Sequence, residues 1–189
     1  MSNILIDLSF FVGDIVIPNT ERTTISERLS WFISRYEKEC LISLLGVRLY
    51  NAYIADNTYN TVPSEGDTLS RMQSLTFGSD FTTPDGSLFN WSGILQNQNT
   101  SLVANYIYCE WERANASQST GIATATMNTN SGNSISPAEK IANAGLYVTK
   151  QAQMCAYFLW NNRDIYPEYT IKDFKNTMES FRYVNIFDF

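Results

Sequence analysis

The chain has 189 residues and a net charge of −6, and its 13 basic residues never cluster in threes. Because nucleic-acid binders neutralise phosphates with clustered Lys and Arg, this pattern argues against tight DNA binding. Histidine is absent, which excludes Ser-His-Asp and Cys-His catalysis and His-ligated zinc.

Residues 3–20 form an apolar arm. Ile4, Ile6, Leu8 and Phe10 share one parity, which predicts a short strand or a packed extended segment. The arm has no basic leader and its apolar run contains acidic residues, so neither a signal peptide nor a membrane span is expected. We therefore expect a soluble protein that is made in a cytoplasm.

Helical structure is predicted from about residue 25 to 55. Thr24 and Glu27 have the spacing of a capping box. Gly46 lies between two helical runs, and because glycine is unfavourable inside a helix by about 1 kcal/mol, it predicts a cap, a kink or a close backbone approach. One helical side is apolar at Leu29, Phe32 or Ile33, Tyr36, Cys40, Leu44, Leu49 and Tyr53.

Residues 56–98 lose this period and are predicted to be an irregular insertion. One or two helical turns are expected within 68–76. The sequence from Thr83 to Gly86 has turn chemistry, so Phe81 and the residues 88–91 are predicted to flank a small β-hairpin.

The next helix is predicted over residues 99–114, with apolar side chains over much of its circumference, which is typical of a helix covered on more than one side. Residues 116–135 follow as an uncharged tongue, for which a protruding β-hairpin and a flexible loop are equal alternatives. We expect the stretch 120–133 to reach an adjacent subunit or a channel. The candidate contact residues are Thr120, Gly121, Ile122, Thr124, Thr126, Met127, Asn130 and Gly132.

A long helix is predicted to begin at a second capping box, Ser136 to Glu139, with Pro137 in the first helical position. Its apolar stripe is Ile141, Gly145, Val148, Ala152, Cys155 and Leu159, and Asn161 and Pro167 mark its end. A shorter helix capped at Thr170 should reach about Phe181.

The C-terminal segment 181–189 is too apolar to remain in water, so it is predicted to dock on its own bundle or on another protein. We favour insertion into a partner. The docking candidates are Phe181, Tyr183, Val184, Ile186, Phe187 and Phe189.

No arrangement of carboxylates or thiols suggests catalysis. Glu110 and Glu112 are about 200° apart around a helix and are interpreted as solvated or ion-paired, and the pair Glu37 and Glu39 fails the same test. The three cysteines are predicted to be buried free thiols. We expect no enzyme activity, no metal and no cofactor.

One cluster in the first long helix has a familiar order: Tyr36, Glu37, Leu44, Leu45, Gly46, Leu49 and Tyr50. It is followed in order by Asp85-Gly86, Trp91 to Ile94, Asn105 to Tyr108, the Ser136 capping box and Tyr166-Pro167. This series resembles the head–tail connector (adaptor) proteins of tailed bacteriophages, as in phages of Bacteroides-like hosts.

The resemblance implies a structural virion protein in a typically dodecameric ring. Such a ring joins the portal vertex to downstream tail or ring proteins, and genomic DNA passes through its channel without specific binding. The expected fold is a mainly α-helical bundle of four to five helices in one domain, 1–189, with a small β-hairpin insertion and an extended tongue. The alternatives are another ring or tail-completion protein of the virion, or a glycan-binding surface module using Trp91 or Trp111.

Overall fold

A computed structural model describes residues 5–64, 66–96, 100–116, 118–119, 124–125 and 137–181. These residues contain five α-helices: α1 (Thr23–Ala55), α2 (Arg71–Phe77), α3 (Leu102–Ala116), α4 (Pro137–Asn161) and α5 (Ile171–Ser180). They also contain two antiparallel strand pairs, β1 (Ser79–Thr82) with β2 (Leu88–Trp91), and β3 (Gln118–Ser119) with β4 (Thr124–Ala125). The predicted mainly helical bundle with a small hairpin insertion is confirmed.

The core is built around α3. Helix α3 packs against both α1 and α4, and α5 also packs against both α1 and α4. The predicted burial of α3 on more than one side is confirmed, because Ile107, Tyr108 and Trp111 point in different directions and are all buried. Every residue of the predicted α4 stripe is buried as well, and α4 ends at Asn161 as expected.

The N-terminal arm is a packed segment, and the strand alternative was wrong. Two 3-10 turns, Leu8–Phe10 and Gly13–Ile15, interrupt it. The Asp7 side chain accepts a hydrogen bond from the backbone N–H of Ser9 at 2.8 Å, which starts the first turn and breaks the alternation of sides. As a result Ile6 and Phe11 are buried, whereas Leu8 and Phe10 are only partly covered.

The predicted capping box at Thr24 was also wrong. Helix α1 begins at Thr23 with Arg22 as its N-cap, and no side chain caps it. Thr24 therefore lies inside the first turn, where its side chain cannot take the N-cap position. The capping box at Thr170 is confirmed, because Thr170 and Asp173 exchange hydrogen bonds at the start of α5.

An ion pair fastens α2 to the segment that joins α4 and α5. The Arg71 guanidinium donates two hydrogen bonds to the Glu168 carboxylate, both at 2.8 Å, and a third to the Ile165 carbonyl at 3.2 Å. The Tyr166 hydroxyl donates back to the Arg71 carbonyl at 2.6 Å. These bonds hold the α4–α5 connection on the end of the bundle that carries β1 and β2.

Glu168→Gln is expected to lower the free energy of unfolding at pH 7 by up to about 1 kcal/mol, the range for a partly exposed ion pair. The hydrogen-bonded Arg71 lowers the pKa of Glu168. A carboxyl with a lowered folded-state pKa stabilises the fold above its unfolded-state pKa, and this contribution is lost as the pH falls through the folded-state value. Urea unfolding at pH 7 and at acid pH should therefore show the difference at pH 7 only. Glu179→Gln, on the exposed side of α5, should show little effect at either pH.

Candidate functional site

The cluster Tyr36 to Tyr50 builds the bundle and does not form a surface. Leu44, Leu45 and Leu49 have no exposed area, and Tyr50 is buried. Tyr36 is half-buried, and its ring lies 5.2 Å from that of Phe32. The residues that carry the resemblance therefore have a structural role in the packing of the bundle.

Glu37 has a structural role that could not be predicted from the sequence. The sequence predicted only that Glu37 and Glu39 do not face one substrate, and the structure shows that the Glu37 side chain is buried, at 1% exposed. Its Oε1 atom accepts hydrogen bonds from the backbone N–H groups of Leu5, at 2.7 Å, and Ile6, at 3.0 Å. The carboxylate thus fastens the N-terminal arm to α1. Its donors are main-chain groups far away in the sequence, so no side-chain pattern could have revealed them.

Gly46 forms both the kink and the close approach that its position predicted. Its φ of 70° and ψ of 160° interrupt α1. The Asp173 carboxylate of α5 occupies the space that a Cβ would need, with Cγ 2.6 Å from the Cβ position. Because the kink breaks the hydrogen-bond ladder of α1, carbonyls just before it lose their usual donors. The Thr177 hydroxyl lies 3.1 Å from one of them, the Leu44 carbonyl.

A mostly apolar groove lies between the β1–β2 hairpin and α4. The hairpin is held in place by Trp91, which is buried and donates a hydrogen bond from Nε1 to the Leu75 carbonyl at 3.1 Å. The groove has a volume of about 540 Å³. The residues that line it are Phe81, Thr83, Pro84, Asp85, Phe89, Met154, Tyr157 and Asn161.

Large apolar side chains at this groove are open to solvent. Phe89 is 44% exposed and Tyr157 is 48% exposed. Leu88, the neighbour of Phe89 in β2, is 71% exposed but does not line the groove. The Phe89 ring stacks on Phe81 with centroids 5.8 Å apart, so it extends the core outward. Exposed apolar side chains around a groove are typical of a surface that binds a partner.

The predicted tongue falls largely outside the described residues. Strands β3 and β4 pair antiparallel, with Gln118 opposite Ala125 and Ser119 opposite Thr124. A short hairpin is thus present at the position of the tongue, and Thr124 belongs to its second strand. The other candidate contact residues lie outside the described residues: Thr120, Gly121, Ile122, Thr126, Met127, Asn130 and Gly132.

The predicted docking tail begins one residue too early. Phe181 is 2% exposed, and its ring lies 6.2 Å from that of Tyr106 in α3. Phe181 is therefore a core residue of its own chain and is not available to a partner. The remaining docking candidates lie outside the described residues: Tyr183, Val184, Ile186, Phe187 and Phe189.

The two tryptophans considered for glycan stacking are buried. Trp91 is 1% exposed and Trp111 is 5% exposed. Trp111 packs its ring edge against Phe32, with centroids 5.1 Å apart, and the Arg28 guanidinium lies 5.0 Å above it. Neither ring can stack on a sugar at the surface, so the residues proposed for that alternative do not support it.

In the part of the chain that the structure describes, every buried side-chain nitrogen and oxygen atom has a hydrogen-bond partner. Glu110 forms an ion pair with Arg113, while burial raises the pKa of Glu110. Among the described residues, no three His, Cys, Asp or Glu side chains come together in a way that could hold a metal ion.

The three cysteines are buried free thiols, as predicted. Burial raises the pKa of Cys109 to about 12 and raises those of Cys40 and Cys155 as well. Because the thiolate is the reactive form, none of the three should react with a thiol reagent in the native protein. A colorimetric thiol assay is expected to report no fast-reacting group under native conditions and three after denaturation. A rapid reaction before unfolding would contradict the buried positions.

No protein-family model, curated protein or solved structure gives a significant match to this chain. Among the described residues, no helix is both long enough and apolar enough to cross a membrane.

Proposed function

We propose that this chain is a head–tail connector (adaptor) subunit of a tailed bacteriophage. It is a structural virion protein that assembles into a ring between the portal vertex and the tail and lines the DNA channel. Its partners are copies of itself, the portal protein, and downstream tail or ring proteins. It is made in the cytoplasm of the host bacterium and resides at the head–tail interface of the virion.

One observation carries this proposal: large apolar side chains are exposed at the edge of a core whose own side chains are buried within the chain. The core includes α1, α3, α4 and α5, with buried side chains contributed by all four helices. Phe89, Tyr157 and Leu88 add exposed apolar area beyond it. Side chains of this size bury their surface at interfaces, where aromatic residues are enriched. A ring of identical subunits repeats one such contact around its circumference.

The sequence and the charge support the same proposal. The ordered motifs of the chain resemble those of connector proteins, and the Leu44 to Tyr50 part of that series forms the kinked centre of the bundle. The net charge of −6 suits a channel wall that DNA passes without adhering to it.

Electron microscopy of the purified protein, alone and mixed with its portal protein, tests the proposal. We expect ring particles, or rings formed on the portal vertex, in the mixture. We also expect no tight, salt-sensitive binding of DNA by the isolated protein. A compact monomer that ignores the portal, or one that binds DNA tightly, would contradict the proposal. Rings that bind only tail components would instead identify a tail-completion protein.

A further inference from the structure

We propose that the groove between the β1–β2 hairpin and α4 binds the C-terminal segment 182–189 of a neighbouring copy of this chain. This inference rests on the proposed ring and names the contact that closes it. The groove presents Phe89, Met154 and Tyr157, all of them partly or largely exposed. The segment offers Tyr183, Ile186, Phe187 and Phe189, aromatic and aliphatic anchors of the kind that fill such grooves.

The segment starts from a fixed point. Phe181 is the C-cap of α5 and is buried against Tyr106, so the point at which the segment 182–189 begins is fixed on the bundle. Ser180 and Val148 of α4 line the same small cleft, which places this exit beside the middle of α4. Eight extended residues span up to about 26 Å, which is long enough to cross to an adjacent subunit.

The direction of the exit favours a neighbour over the same chain. Phe174, early in α5, packs on Tyr157 and Trp160, whereas Ser180 lies near Val148, so α5 runs antiparallel to α4. Helix α5 therefore runs away from the groove and ends about 13 Å from Tyr157, measured along α4. Returning to its own groove requires the segment to reverse and run back along α4. Its turn-forming residues are Asn185 and Asp188, so a reversal at its start, within 182–184, is disfavoured.

The geometry also explains how one contact can build a ring. The starting point of the segment, at Phe181, and the groove lie on different parts of the bundle, so each subunit can donate one segment and receive another. Such a head-to-tail contact closes into a ring when the rotation between subunits allows it.

Cross-linking between two full-length variants tests this inference. Asn161→Cys places a thiol at the rim of the groove, and Asp188→Cys places one in the segment. The native thiols are buried and give only background. After mixing, a short bismaleimide should yield a covalent dimer at least tenfold above the yield from Glu27→Cys mixed with Asp188→Cys. Glu27 is exposed near the start of α1. This part of α1 packs on the end of α3, which contacts the start of α4 at Ile141, whereas the groove lies near the end of α4.

A matched pair of substitutions tests whether the groove itself is the receptor. Phe89→Ser, added to the Asn161→Cys chain, should lower the yield about tenfold, which corresponds to a loss of about 1.4 kcal/mol. Leu88→Ser removes a more exposed side chain of the same strand that does not line the groove, and it should leave the yield unchanged. Circular dichroism establishes that both variants are folded. Equal yields from the two variants would overturn the assignment.

The outcomes separate this inference from the proposed function. A yield no higher than that of the Glu27→Cys control overturns the inference. A cross-link that forms only within one chain carrying both new cysteines also overturns it. Rings in electron micrographs without the intermolecular cross-link would leave the connector proposal standing and reject the groove. A strong intermolecular cross-link in open, non-ring assemblies that do not bind the portal would support the groove contact and contradict the connector proposal.

Discussion

Glu37→Ala is expected to lower the free energy of unfolding by about 3 kcal/mol, because it leaves buried backbone donors without an acceptor. The Oε1 atom of Glu37 accepts from both Leu5 and Ile6, so a single substitution removes both bonds. Detaching the arm would relieve the unpaired N–H groups but would expose Ile6 and Phe11, which are buried now. Either outcome is costly. Urea unfolding measures the loss, and hydrogen exchange at the amides of Leu5 and Ile6 shows whether the arm has detached.

Two further substitutions distinguish the effect of the Glu37 carboxylate from the effect of any substitution in this part of α1. Glu37→Gln keeps a carbonyl oxygen that can accept both bonds, but it loses the charge that strengthens them, so we expect a cost of about 1–2 kcal/mol. Glu39→Ala, an exposed glutamate two residues along the same helix, should change stability by less than about 0.5 kcal/mol. Equal effects for Glu37→Ala and Glu39→Ala would show that the arm is held by its apolar contacts alone.

The sequence predicted those features of the fold that depend on residues close together in the chain. The α4 stripe repeats every three or four positions, and the turn from Thr83 to Gly86 carries its own chemistry, so both were found at the right place. The bend at Gly46 was found because glycine is out of place in a long helical run. Each of these signals is local, and the structure follows it.

Long-range contacts were not predictable in the same way. Glu37 binds main-chain groups of the arm, and Arg71 binds Glu168 on a segment far along the chain. A carboxylate in a helical run looks solvated unless its distant partner is known. The groove could not be predicted for the same reason, because Phe89 and Tyr157 become neighbours only when the hairpin folds onto α4.

Phe181 shows that an apolar run in the sequence does not reveal where the core of the bundle ends. It belongs to an aromatic segment that continues to Phe189, so composition gave no reason to separate it from the residues that follow. The structure separates them through Tyr106, which meets the Phe181 ring at the end of α5. A boundary between core and docking segment depends on what the bundle can cover, and this is a tertiary property.

Gly46→Ala is expected to lower the free energy of unfolding by about 3 kcal/mol through two separate costs. A backbone with φ 70° and ψ 160° is almost restricted to glycine, and another residue there costs on the order of 1–3 kcal/mol. The new Cβ would also displace the Asp173 carboxylate, whose Oδ2 accepts the N–H of Thr170 at 2.9 Å. Losing that cap of α5 costs about 1 kcal/mol. Thermal or urea unfolding measures the sum.

Gly86→Ala is the matched control for the first cost. Gly86 has a φ of 87°, and nothing lies within 4 Å of the Cβ position, so only the backbone cost applies. Asp173→Ala tests the second cost in a double-mutant cycle: after Gly46→Ala has displaced the carboxylate, removing it should cost less than in the parent chain. Additive effects of Gly46→Ala and Asp173→Ala, together with equal costs at Gly46 and Gly86, would show that α5 does not depend on the kink. A smaller cost of Asp173→Ala in the Gly46→Ala chain than in the parent chain would instead show that the bend in α1 and the start of α5 depend on each other, so that the position of α5 and Phe181 is set at Gly46.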